Sequence, residues 1–448
     1  MSRLGGNPNA HLKSDYRTNL SKHIADELDS DEFKGYSKSG QKGVFTRDRK
    51  LTIKKIILFI ISINTSIQRE LDRFTKAISE SDFNIRNATK SAFSQARAKL
   101  NPWAFKRLND ITVKTFYEEA EYLGWYGMRV LAVDGTRLIL PKHDSVIEEF
   151  GQHKFGPKSD SLRSMAMASM LYDVLNQITI DAEIAPYCWS EQELLLDHLS
   201  KVEPGDLLLL DRGYPSFWLL FLLTAKNIEF CVRLKETGWL KVKEFMKSDE
   251  TERIISIRLP KKDRKSLSEY PEMYEKEVFV RLIKVPLENG KIEILCTSLI
   301  DMEKYRIEEF QGLYHLRWNE EEAYKLLKSR LDLEDFSGKT ATAVRQDFFA
   351  KVFLMTLCAA YAHPIEERVR NEYKADEKRK YDQKINRTNA LDMTRNILIA
   401  LFIKRKFCEA LDAFDKIVER TREVIRPGRN NPRKIKPKRP FSMNYKRL

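Results

Sequence analysis

YHLRWNEEEAYKLLKSRLDLEDF, residues 314–336, is built from helix formers and contains neither Gly nor Pro. Tyr314, Arg317, Glu321 and Lys328 follow one another at offsets of three, four and seven residues. At about 100° per residue they fall within an arc of roughly 60°. One polar stripe over about four turns thus carries a phenol, two cations and a carboxylate. Leu313, Leu316, Ala323, Leu327 and Leu331 form a neighbouring apolar stripe that would seat the helix on a core. A solvated charged face would look the same, but two acidic sites upstream weigh against it.

The first is RVLAVDGTRLILP, where the apolar run Val130 to Val133 stops at Asp134, with Gly135 and Thr136 next. The second is DLLLLDRGYPSFWLL, where Leu207 to Leu210 stop at Asp211, followed by Arg212, Gly213 and Tyr214. Each reads as a buried strand ending in an acid and a turn glycine. Ligand and catalytic groups of open sheets sit at such carboxyl ends. Either acid alone could simply cap a turn. With Glu321 they make three carboxylates in the order Asp, Asp, Glu, and oxygen-only ligation of that kind suits Mg²⁺ or Mn²⁺ at phosphate chemistry.

This pattern resembles the DDE transposases of bacterial insertion sequences, the cut-and-paste group with a ribonuclease H-like core. That group shows Y-x2-R-x3-E-x6-K, met here by Tyr314, Arg317, Glu321 and Lys328. Its D-G-T turn is met by Asp134, Gly135 and Thr136, and its D-R-G-Y turn by Asp211, Arg212, Gly213 and Tyr214. The resemblance runs from about residue 85 to the C-terminus. It implies an α/β fold: a ribonuclease H-like mixed sheet flanked by helices, interrupted by a β-rich insertion, with helical N- and C-terminal units.

At 448 residues the chain exceeds one ordinary core. Its longest apolar runs, such as Ile56 to Ile63, are too short to span a bilayer, and the start has no signal-peptide pattern, so no membrane association is expected. Cys188, Cys231, Cys296, Cys358 and Cys408 are scattered, which argues for a reducing cytosol and against a zinc site. A cytoplasmic, nucleoid-associated protein is the expectation. The formal charge of +14 is divided unevenly: +7 in residues 1–125, −2 in 126–425 and +9 in 426–448. Basic ends on a near-neutral body fit a double-stranded DNA partner.

Five segments are expected. Residues 1–125 hold a loosely ordered arm (1–48) and a helical DNA-binding domain. In the latter, NATKSAFSQARAKLNPW looks like the second half of a helix-turn-helix, with Thr89 at its start, Ala92, Phe93 and Ala96 buried, Lys90, Arg97 and Lys99 outward, and Pro102 ending it. Residues 126–235 hold the first part of the core, with strands at 129–140, 165–175, 177–184, 206–210 and 229–234 and helices at 190–201 and 215–226. Residues 236–299 read as the β-rich insertion, its strands at 252–259, 277–285 and 291–297 and an Asn289-Gly290 turn before the last. The core resumes over 300–375, with a buried helix at 344–362. Residues 376–448 hold a helical unit (385–425) and a proline- and arginine-rich tail. FSGKTAT, 336–342, ends like a P-loop but lacks the earlier Gly, which would fall at Leu333, and no nucleotide cofactor is expected.

The resemblance implies a transposase that binds the terminal inverted repeats of its element, cuts by metal-dependent hydrolysis and joins the 3′ ends to target DNA. Asp134, Asp211 and Glu321 would hold Mg²⁺, with Mn²⁺ as substitute, two ions per site. Tyr314, Arg317, Lys328 and Arg212 would face phosphates. Such enzymes work as homodimers in the synaptic complex, and 385–425 is the candidate dimer surface. Some relatives cut through a hairpin and hold a flipped base on a Trp in the insertion's last strand. That strand here has none, and Trp239 is expected to pack in a core. A metal-dependent endonuclease without strand transfer, or a regulator derived from a transposase, would share these residues.

The tail generates a test. If half its nine cations meet phosphates, a 1–425 protein should show a salt slope of log affinity smaller by roughly 4 than the full chain. The loss should be equal on end DNA and random DNA, because phosphate contacts carry no sequence information. An unchanged slope in a salt titration would assign the tail to folding or assembly.

Overall fold

The computed structural model describes residues 4–6, 15–40, 45, 50–83, 86–154, 161–236, 238–287, 290–376, 379–426 and 444–446. Asn289 and most of the basic tail, including Phe441 and Met443, lie outside the described residues.

A nine-stranded sheet organises the chain. Its strands are β1 (Val130–Ile139), β2 (Gln152–Lys154), β3 (Leu162–Asp173), β4 (Ile178–Pro186), β5 (Leu207–Leu210), β6 (Glu229–Leu234), β7 (Glu252–Arg258), β8 (Glu277–Pro286) and β9 (Ile292–Thr297). The spatial order is β4-β3-β1-β5-β6-β9-β8-β7, with β2 on the far end of β3. β1, β3 and β4 are antiparallel neighbours, while β5 and β6 join β1 in parallel. This is the three-antiparallel, then-parallel arrangement expected of a ribonuclease H-like core. The strands of residues 236–299 extend that same sheet from β6. Val130–Val133 and Leu207–Leu210 are fully buried. Helices cover both faces of the sheet here, so the strands read as unbroken apolar runs rather than alternating ones.

The main helices are α1 (Tyr16–Asp29), α2 (Lys90–Arg97), α3 (Trp103–Glu119), α4 (Glu191–His198), α5 (Phe217–Ala225), α6 (Ile307–His315), α7 (Trp318–Ser329), α8 (Ala341–Glu372), α9 (Arg387–Phe402) and α10 (Phe407–Arg420). Among the described residues α8 is the one helix long and apolar enough to cross a membrane, and its apolar length is spent on packing inside the fold. Thr340 caps it, accepting from the Ala343 amide. The tight apposition of Gly338 to α8, where an added Cβ would stand 2.6 Å from the Ala343 Cβ, explains the glycine of the P-loop look-alike.

Four expectations are corrected. The arm is no loose segment over its described part: Leu20, Ile24, Ala25 and Leu28 of α1 are fully buried. Pro102 does not end α2, which stops at Arg97; it stands at the N-terminus of α3. Within α2, Thr89 caps the start and Phe93 is buried, but Ala92 is exposed and Arg97 is not outward. Arg97 is 4% exposed, pairs with Asp347 at 2.9 Å, and donates to Ser337 and Gln346. A guanidinium so enclosed ties α2 to α8 and is withdrawn from DNA. Lys90 stays exposed and Lys99 half-buried.

Removing one partner of a buried ion pair strands the other, so Arg97→Met should cost about 3–5 kcal/mol of stability. Urea unfolding measures it, and a cost under about 1 kcal/mol would mean that Asp347 finds another partner.

Candidate active site

Asp134 and Asp211 owe their proximity to strand register. β1 and β5 run parallel with Val133 opposite Leu210, so the next residues are Asp134 and Asp211. β5 stops there, whereas β1 continues through Asp134, Gly135 and Thr136 to Ile139. The expected turn at Asp134-Gly135-Thr136 is therefore a strand interior. A strand glycine marks close approach of another group. Here that group is Glu191 of α4: a Cβ on Gly135 would stand 2.9 Å from the Glu191 Cγ.

Past the end of β5, Asp134 needs new partners for its backbone groups, because buried amides and carbonyls are costly unpaired. α7 supplies them. The Glu320 Oε1 accepts from the Asp134 amide at 2.9 Å, and the Tyr324 hydroxyl donates to the Asp134 carbonyl at 2.8 Å. Glu320 is fully buried, and its Oε2 has no hydrogen-bond partner among the described residues. Burial, and then the charge on Asp134, hold its carboxyl well above the usual carboxylate range.

The signature stretch is not one straight helix. α6 ends at His315 and α7 begins at Trp318, with i→i−3 hydrogen bonds at Leu316, Arg317, Asn319 and Glu320 between them. This 3₁₀ step separates Tyr314 from the others. Tyr314 is 4% exposed and donates to the Leu210 carbonyl at 3.2 Å, so it clamps the end of β5 and does not face phosphates as expected. Arg317, 3% exposed, lies between two carboxylates: Nη2 is 3.0 Å from the Glu321 Oε1 and Nη1 is 3.6 Å from the Asp134 Oδ2. Lys328 donates to the Thr136 hydroxyl and the Arg137 carbonyl, both at 2.7 Å, and burial lowers its pKa. Arg212 is exposed beside Asp211.

The structure thus gathers Asp134, Asp211, Glu321 and Arg317, fastens Tyr314 and Lys328 to the strands, and leaves Arg212 at the rim. Among the described residues, no three His, Cys, Asp or Glu side chains yet converge on one point as an ion would require. Arg317 explains this, because it stands where a cation would neutralise Asp134 and Glu321. The donor set otherwise fits a hard divalent ion: all oxygen, with the buried Asp211 Oδ1 lacking a partner among the described residues. Burial raises the Asp134 pKa, and the charges of Glu321 and Asp211 raise it further, against the Gly135 amide and Arg317.

Sequence reasoning missed Glu320, Tyr324 and Glu191. Glu320 is hidden in the run Glu320-Glu321-Glu322, which reads as solvated. Glu191 had one signal: the Ser190/Glu193 capping box fixes it in the first turn of α4. Trp239 is half-buried and packs against the edge of the core, as expected. It stacks on Phe217 at 4.5 Å and lines a cleft of about 600 Å³ with Leu240, Lys241 and Arg258.

The family model "Transposase DDE domain" matches residues 125–358, just over half the chain. The transposase InsG of insertion sequence element IS4 from Escherichia coli K12 is 24% identical over 243 residues, 54% of this chain and 53% of InsG. InsZ of the same organism is 24% identical over 188 residues, 40% of this chain and 60% of InsZ. The chain spans about half of the first relative's length. A solved piggyBac transposase synaptic complex with hairpin DNA aligns over 93% of this chain and 88% of its own, at 10% identity and a TM-score of 0.47.

The raised pKa of Asp134 makes a test of the site's electrostatics. An acid that holds its proton more tightly folded than unfolded costs stability as pH rises from its unfolded-state value to its folded-state value, and the full cost stands above that. In chelator at neutral pH, Asp134→Asn should melt above the parent. The difference should shrink as pH falls, because below the unfolded value the parent acid is protonated in both states. A variant that melts lower at neutral pH would show that Arg317 and the Gly135 amide outweigh burial.

Proposed function

The chain belongs to the transposase DDE domain family, and from that premise we propose that it cuts DNA at the inverted repeats ending its own element and joins the freed 3′ ends to a target. One observation supports this most: Asp134 and Asp211 stand side by side where the parallel pairing of β1 and β5 ends, and Arg317 links Asp134 to Glu321. Those three carboxylates would hold Mg²⁺ or Mn²⁺. When bound, two such ions activate an attacking oxygen and steady a leaving one at a phosphodiester.

The protein's own groups set the stage. The Glu320 and Tyr324 bonds fix the backbone of Asp134, so its carboxylate is held before any ligand arrives. Arg317, whose planar fork suits phosphate, would pair with a phosphate oxygen where its two carboxylates served a divalent ion instead. Arg212, exposed at the rim, meets the backbone beside the cut. Lys328 keeps β1 and α7 together and would join in at the phosphates. Lys90, at the start of α2, and Lys99, just past its end, would contact the repeat, without Arg97. Synapsis of two ends would use a homodimer. α9 and α10 pack on α1 and α8, and Ile417, Val424 and Ile425 at that end stay exposed for a second copy.

The deciding experiment incubates the full chain with its own element ends in Mg²⁺ and resolves products on a denaturing gel. Nicked ends together with joined products are expected. Nicking without joining would make it a nuclease, and binding without either would make it a regulator. Asp134→Ala, Asp211→Ala and Glu321→Ala should each abolish cutting and keep end binding within a few fold. In Ca²⁺, which tolerates looser coordination, ends should be bound and left uncut. Cutting in excess chelator would refute the reading.

A further inference from the structure

Glu191 is the first residue of α4, and the capping of that helix makes no use of it. Ser190 caps the helix by accepting from the Glu193 amide, and the Glu193 carboxylate accepts in return from the Ser190 amide at 2.7 Å. Among the described residues the Glu191 carboxylate accepts no hydrogen bond and pairs with no cation, although it is half-buried. Its position is fixed by two glycines. A Cβ on Gly135 would stand 3.1 Å from the Glu191 Oε1, and one on Gly213 would stand 3.3 Å from its Oε2. One oxygen therefore lies against the residue after Asp134 and the other against the turn after Asp211. Both aspartates act on it electrostatically.

A second observation points the same way. Tyr214 is fully buried and its hydroxyl has no hydrogen-bond partner among the described residues. The charges around that hydroxyl are those of Glu191 first, then Glu320, Asp134 and Asp211. A buried phenol with no hydrogen-bond partner amid carboxyl groups, and an unpartnered Asp211 Oδ1, mark a place that is polar and incomplete. With Asp134, Asp211, Glu191 and Glu321 ionised, Arg317 is the only cation that pairs with any of them among the described residues.

We propose that Glu191 is a fourth carboxylate of the metal centre, serving the ion held by Asp134 and Asp211 directly or through a water. This rests on the metal reading above. It also gives both motif glycines a reason: a side chain at either would displace Glu191.

The test is Mn²⁺ binding, measured by the loss of the free-ion electron paramagnetic resonance signal. The full chain is titrated alone and with a duplex carrying its terminal repeat. Glu191→Gln keeps the shape and removes the charge. It should weaken Mn²⁺ binding at least tenfold, while Glu191→Asp, which keeps the charge, should fall between. Melting in chelator controls for folding, and Glu191→Gln should melt no lower than the parent because it removes repulsion. Parental Mn²⁺ affinity in Glu191→Gln, with and without DNA, overturns the proposal if Asp134→Asn has lost it. Parental affinity in Asp134→Asn as well would instead overturn the metal reading itself.

Discussion

The candidate site depends on a mismatch in strand length. β5 pairs with β1 for four residues and then turns away, so β1 runs on with one edge bare from Asp134. A bare backbone edge inside a protein must find partners. α7 provides them through Glu320 and Tyr324, and in doing so fixes where its own next residue stands. Glu321 cannot shift along the helix without breaking the bond from the Asp134 amide to Glu320. One hydrogen bond from a backbone amide to a side-chain carboxyl therefore sets the spacing between the first carboxylate and the third. The second is set by register alone.

That geometry concentrates negative charge, and the fold answers with unequal means. Burial pushes the Glu320 carboxyl well above the usual carboxylate range, favouring the protonated form, while it accepts from the amide of Asp134. Arg317 offsets part of what remains. A guanidinium that is almost fully buried would be costly without partners, and here it has two. Its ion pairs are therefore both a brace and an obstacle: they hold Asp134 and Glu321 apart from any ion until something better neutralised replaces them. On the proposed function, a phosphate arriving together with divalent cations would meet both needs, because it would offer Arg317 a new acceptor as the carboxylates acquire theirs, and substrate binding would then be coupled to cleavage through that exchange.

Much of this was legible in the sequence. Apolar runs that stop at Asp134 and Asp211 located both strands, and helix periodicity brought Arg317, Glu321 and Lys328 together. What periodicity does not reveal is whether a polar side chain points into water or into a neighbouring element. Arg97 and Tyr314 sit at positions that look outward along their own helices, yet Asp347 and the Leu210 carbonyl bury them. Glu320 fails for the same reason, since three consecutive glutamates read as solvent until a bare strand edge is known to lie beneath one. The N-terminal arm failed differently. Leu20, Ile24 and Leu28 do recur at helical spacing, but the polar residues between them lowered the average, and α1 gains its stability from packing on α3, α9 and α10.

The insertion shows how such a site tolerates interruption. Between Asp211 and Glu321 the chain leaves the core by β6, makes two further strands, and returns by β9. β9 pairs with β6 itself, Thr297 opposite Cys231. The chain thus re-enters the core hydrogen-bonded to the strand by which it left, and the detour leaves the path to α6 and α7 where a short loop would have put it. Arg281 secures the return. Wholly buried in β8, it donates to the Tyr305 carbonyl at 2.7 Å, binds Glu252 of β7, and lies over the Phe310 ring of α6. The insertion is tied at one end to the sheet and at the other to the helix leading into Arg317.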